Sequence, residues 1–69
     1  MKLYAIKTND QYIRINTLEN KYEIVGMDKA SVYPPEKLPQ LKEHLENARN
    51  LGLENIRIVE MVITEKDYI

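Results

Sequence analysis

His44, in the run "LKEHLENARN", is the only histidine of the chain. It is also the only side chain of a type that ordinarily exchanges protons near neutrality. General acid–base work needs a polar partner beside it in a pocket. The spacing offers no Ser-His-Asp or Cys-His arrangement around it. With no cysteine and one histidine, neither a disulfide nor a Cys/His zinc site can be assembled. Two glycines leave no loop able to cradle a phosphate. His44 lies on the flank of the Leu41/Leu45 stripe and reads as a boundary or surface residue of the helix. Glu60 breaks the apolar run "IRIVEMVI", either with Lys7 or Arg14 as its expected neighbours on an outer sheet face or as a charge that discourages wrong edge pairing. A catalytic carboxylate wants a second carboxylate or a metal beside it, and nothing in the sequence supplies one. No catalytic, cofactor-binding or metal-ligating residue is therefore expected.

The remaining polar constellation is Lys7, Tyr12 and Arg14. Five tyrosines with no Phe or Trp is an unusual aromatic set. Tyrosine suits protein interfaces, and an exposed ring on a sheet can also stack on a single-stranded base. Tyr4 and Tyr22 fall on apolar faces; Tyr12, Tyr33 and Tyr68 are candidates for exposure. Set against a nucleic-acid partner are 10 basic and 11 acidic residues, a formal net charge of −1 and no run of one sign.

These side chains must be placed by strands. "KLYAIKTNDQYIRIN" (residues 2–16) predicts a hairpin turning at Asn9-Asp10, since both residues tolerate left-handed backbone. Lys7 then stands opposite Tyr12, Ile6 opposite Ile13, Ala5 opposite Arg14 and Tyr4 opposite Ile15. That register gathers Tyr4, Ile6, Ile13 and Ile15 on one face, and a slip by one residue would scatter them. Leu3, Ala5, Lys7, Tyr12 and Arg14 line the other face. "TLEN" predicts a turn, and "KYEIV" (21–25) a strand with Tyr22 and Ile24 on one side. "KASVY" (29–33) reads as a further short strand with Ala30 and Val32 inward, stopped by Pro34 and Pro35.

Residues 39–51 carry the helix. Leu41, Leu45, Ala48 and Leu51 form one stripe. Pro39 suits the first helical position, with residues 35–38 free to form a separate turn. Gly52 suits the left-handed position after the last turn, and Leu53 can fold back onto it. The result is a small α+β domain: a mostly antiparallel sheet of about three to five strands with one helix on one face.

Residues 56–63, "IRIVEMVI", are apolar on both faces: Ile56, Ile58 and Val62 on one side, Val59, Met61 and Ile63 on the other. Such a strand is expected at the centre of the sheet. One helix covers one sheet face. The other is expected to be an interaction face built of Leu3, Ala5, Tyr12, Arg14, Ile58, Glu60 and Val62. Three large apolar side chains buried there would contribute about 1.5–3 kcal/mol each in transfer terms, comparable to the whole stability of so small a fold. A chain of 69 residues buries little core and lacks the usual covalent or metal staple, which leaves association as the available one. The bland alternative is that Lys7, Arg14 and Arg57 lie over the apolar atoms.

At 43% apolar the chain is globular and not a disordered tail. No apolar stretch approaches the length of a membrane span, and "MKLYAIKTND" lacks the apolar core of a secretion signal. A cytoplasmic location is expected.

The order of parts resembles small proteins encoded by bacteriophages and prophages of low-GC Gram-positive bacteria. The resemblance is carried by Tyr4-Ala5-Ile6-Lys7, Tyr12-Ile13, the "A.V" of Ala30 and Val32, and the helix followed by "ENIRIVE" (Glu54 to Glu60). It implies a non-enzymatic protein that binds and modulates a host protein, and it supplies no site residues. The expectation is thus a cytoplasmic interaction module, pairing with itself as a homodimer or with a foreign protein. A small accessory protein that binds single strands through Lys7, Tyr12 and Arg14 is the alternative, with an enzyme assembled between subunits in third place.

Overall fold

The computed structural model describes residues 1–69. Four strands form one antiparallel sheet in the order β3-β2-β1-β4. They are β1 (Lys2–Thr8), β2 (Gln11–Asn16), β3 (Lys21–Val25) and β4 (Ile56–Val62). The single helix α1 (Leu38–Asn50) lies between β3 and β4 in sequence and packs against β1 and β4. The chain is a small α+β fold, as its periodicities predict.

Local chemistry accounts for most of these elements. The β1–β2 hairpin turns at Asn9-Asp10, with Asn9 at φ 50°, and Lys7 stands opposite Tyr12 as the alternation requires. Asn20 closes the next turn at φ 52°, braced by the Glu19 N–H donating to Asn16 Oδ1 at 3.1 Å. β3 then pairs Ile24 with Ile13 and Tyr22 with Ile15. Pro39 sits one position further into the helix than expected, because α1 begins at Leu38 and a separate 3-10 turn occupies Pro35–Lys37. At the far end Gly52 adopts φ 96°. Its N–H donates to the Arg49 carbonyl at 2.9 Å and the Leu53 N–H to the Ala48 carbonyl at 3.2 Å, the paired bonds of a Schellman cap.

The core under the helix is Ile6, Ile13, Leu41, Ala48 and Ile56, ringed by half-buried Tyr4, Ile15, Tyr22, Tyr33, Leu38, Leu45, Leu53 and Ile58. No buried side-chain nitrogen or oxygen lacks a hydrogen-bond partner. Only 8 of 69 residues are fully buried, so this core is thin even for a small domain.

Three expectations about strands are corrected. Residues 29–33 do not form a strand. Met27–Lys29 is a 3-10 turn, and only Tyr33 pairs, through an isolated bridge to Tyr4 with both bonds at 2.8 Å. Val32 is exposed. This segment also interrupts the hairpin. β1 and β2 pair only at Lys7–Tyr12 and Thr8–Gln11, so the expected pairs Ile6–Ile13, Ala5–Arg14 and Tyr4–Ile15 do not form. Beyond that they splay, and residues 31–33 fill the gap: the Ser31 N–H donates to the Ile13 carbonyl at 3.2 Å, and the Ile15 N–H to Ser31 Oγ at 2.8 Å. Strand β4, expected at the centre, lies at the margin of the sheet beside β1. Its far face needs no second neighbour to be covered: Val59 stands opposite Ala5 and Met61 opposite Leu3, and both are half-buried there.

Candidate functional site

The antiparallel register divides the expected interaction set between two faces. Ile6 pairs with Ile58, Tyr4 with Glu60 and Lys2 with Val62. Because paired residues project to the same side, Ile58, Glu60 and Val62 belong to the helix side. Leu3, Ala5, Tyr12 and Arg14 belong to the opposite side. The members of β4 that join them there are Arg57, Val59 and Met61, the last two from the opposite-facing apolar set. Alternation told the two sets apart but not which one faced the helix.

The far face is less open than expected. Ala5 is fully buried and Tyr12 is 7% exposed, although neither belongs to the core under the helix. The 3-10 turn at Met27–Lys29 packs against β2, the strand that carries Tyr12. The Lys7 ammonium stands 5.3 Å from the centre of the Tyr12 ring, a cation–π contact worth roughly 0.5–1 kcal/mol. Leu3 is half-buried, and exposed Arg14 lies opposite Glu23. Lys7, Tyr12 and Arg14 do share a face, but the buried ring leaves little surface on which a base could stack.

Glu60 does not meet Lys7 or Arg14. Its Oε1 accepts from the Tyr4 hydroxyl at 3.3 Å and lies 3.5 Å from Lys2 Nζ. Both are on the helix side, and the ion pair is exposed.

His44 reaches across from α1 to β3. Its Nδ1 stands 2.9 Å from the Tyr22 hydroxyl, its ring meets Tyr22 edge-on at 5.8 Å, and Tyr33 tilts against it at 6.1 Å. Burial, with Tyr22 as a smaller cause, raises the pKa of Tyr33 above the ordinary phenol value. The cluster packs the helix onto the sheet. Beside it opens a groove of about 350 Å³ lined by Asn20, Tyr22, Asn47, Asn50 and Leu51, none of them an acid, base or nucleophile suited to neutral pH. No three His, Asp or Glu side chains converge anywhere in the fold.

The open margin of β4 is the feature that sequence reasoning missed. Met1 and Ile63 exchange backbone bonds, with the Ile63 N–H donating to the Met1 carbonyl at 2.8 Å and the Met1 amine to the Ile63 carbonyl at 3.1 Å. In an antiparallel ladder such pairs alternate with pairs that are not hydrogen-bonded. Arg57, Val59 and Met61 therefore direct their amides and carbonyls at β1. Ile58, Glu60 and Val62 direct theirs away from the sheet, where no other strand lies. The Tyr4–Tyr33 bridge agrees, since Tyr4 turns its own backbone groups away from β4. The strand is seven residues long with no proline or glycine, and Val62 is 68% exposed. Natural sheets usually blunt such an edge. Composition carries no signal for this feature, because strand order decides which backbone groups are left over.

No protein-family model matches this chain, and no curated protein or solved structure is significantly similar to it. No helix is long and apolar enough to cross a membrane.

Proposed function

We propose that this chain is a non-enzymatic, cytoplasmic protein-interaction module that recruits its partner by strand addition at the open edge of β4. The observation that carries this reading is the outward row of unpaired backbone groups on Ile58, Glu60 and Val62 beside an exposed apolar end. Strand addition takes its affinity from main-chain bonds and its selectivity from alternate side chains. Here those side chains are Ile58, Glu60 and Val62 toward the helix side, and Val59 and Met61 on the far side. The thin core gives a second support, since a partner strand adds stability that the lone chain is short of. The resemblance to small phage proteins extends the reading to a host protein as a further partner.

Glu60→Pro tests it. The Glu60 N–H points away from β1, so proline there leaves the β1 ladder whole; it removes an outward donor and, with the carboxylate, the exposed contacts to Tyr4 and Lys2. Circular dichroism and melting are expected to stay close to wild type, while partner recovery from a bacterial lysate is lost. Equal recovery by both forms would remove a host protein as the partner, and the reading itself falls if self-association is unchanged as well.

A further inference from the structure

We propose that β4 pairs with β4 of a second copy, antiparallel, about a two-fold axis beside Val59. This rests on the reading of β4 as a strand-addition edge and names its occupant. In a symmetric pair the outward residues of one copy must bond with outward residues of the other. That rule admits few registers. One sets Glu60 opposite Glu60 of the second copy, and like charges directly opposite are destabilising. Another centres on Ile58 and strands Met61 and Val62 beyond the ladder, opposite the link where Asn55 leaves extended conformation at φ 55°. The register centred on Val59 pairs all seven residues of the strand.

In that register Ile58 stands opposite Glu60 of the second copy, and Ile56 opposite its Val62. On the far side Val59 meets its own counterpart and Arg57 meets Met61. No like charges are directly opposed. The two Glu60 carboxylates lie diagonally across the seam, each with Lys2 of its own chain at 3.5 Å. Val59 and Met61 of both copies then form one apolar stripe that continues Leu3 and Ala5 across the joint. Val62, now 68% exposed, becomes covered, and two sheets of four strands join into one of eight. The match of the strand to itself, side by side with its inverted copy, favours a second copy over an unrelated peptide. An interface this narrow belongs to the small, readily exchanging class.

The test uses the absence of cysteine from the chain. Val59 faces itself in a pair that is not hydrogen-bonded, where side chains approach to about 4.5–5.5 Å between Cβ atoms, close to disulfide reach. Under mild oxidation Val59→Cys is expected to give a covalent dimer on a non-reducing gel, roughly tenfold more than Arg57→Cys or Met61→Cys alone. The double variant Arg57→Cys/Met61→Cys is expected to cross-link, because those positions face each other. Sedimentation of the wild type is expected to show a dimer at high concentration that Glu60→Pro abolishes. Equal cross-linking by all single variants, a wild type that stays monomeric, or growth into higher multimers would overturn the inference. If the wild type is monomeric while lysate recovery still falls in Glu60→Pro, the second copy is excluded and the strand-addition reading stands. If Glu60→Pro changes neither measurement, both fall.

Discussion

The side-chain amide of Asn55 donates to the side-chain oxygen of Asn9 across 3.1 Å, and both residues hold a left-handed backbone, at φ 55° and 50°. One closes the β1–β2 hairpin and the other links α1 to β4, so the bond ties two turns 46 positions apart. Asparagine suits both places because it visits this conformation at lower cost than most residues. Asn55→Gly is expected to lose only the side-chain bond, about 0.5–1.5 kcal/mol. Asn55→Ala is expected to add about 1 kcal/mol of backbone strain. Urea unfolding of both variants, with an Asn9→Gly cycle, measures the difference; equal midpoints for Gly and Ala would show that the backbone carries no strain.

Thr8 belongs to the same clasp. Its buried hydroxyl donates to the Glu54 carbonyl at 2.9 Å. Thr8→Val keeps the shape and leaves that carbonyl without its partner, a loss of about 1–3 kcal/mol. Thr8→Ser is expected to retain the bond and to lose less, by thermal melting.

Leu41 is fully buried at the centre of the core. Leu41→Ala is expected to cost about 2–5 kcal/mol. A domain of this size holds roughly 3–10 kcal/mol in total, so the variant should be partly unfolded at room temperature. Near-native dispersion in an amide proton spectrum would contradict this.

Tyr33 gives the fold an alkaline limit. Its raised pKa means that the folded state holds the phenol proton more tightly than the unfolded chain does. The associated stability is fully present below the ordinary phenol value, near 10, and is lost as pH rises through the higher folded value. Denaturation midpoints are expected to fall above about pH 10 in wild type and to fall less in Tyr33→Phe. Parallel curves would remove Tyr33 as the cause.

Periodicity made the faces of this fold legible. The Lys7–Tyr12 register, the shared side of Tyr22 and Ile24, and the Gly52–Leu53 cap all follow from residue type and spacing within one element. Neighbourhood in the sheet was not legible. A period of two states which way a side chain points and says nothing about which strand lies alongside. Ile58 and Val59 were therefore seen as opposite-facing, but Ile58 was expected on the far side, whereas its pairing with Ile6 puts it on the helix side. The greasy far side of β4 suggested a central strand, whereas Ala5 and Leu3 of a single neighbour suffice to half-cover it. Ala30 and Val32 alternate like a strand, yet the bends on either side leave Tyr33 alone in position to pair.

The slit between β1 and β2, occupied by Ser31 and Tyr33, bears on how the chain reaches this shape. The alternation of the first sixteen residues predicts a hairpin zipped along its whole length, Ile6 with Ile13 and Tyr4 with Ile15, which the structure does not form. That closure is local, and hairpins form within microseconds. A hairpin sealed to its ends would lock residues 31–33 out of their seat and compete with the native arrangement. The native arrangement requires this zipper half undone, which gives the plain hydroxyl of Ser31, bonded to the Ile15 amide, a say in which of two β-pairings prevails.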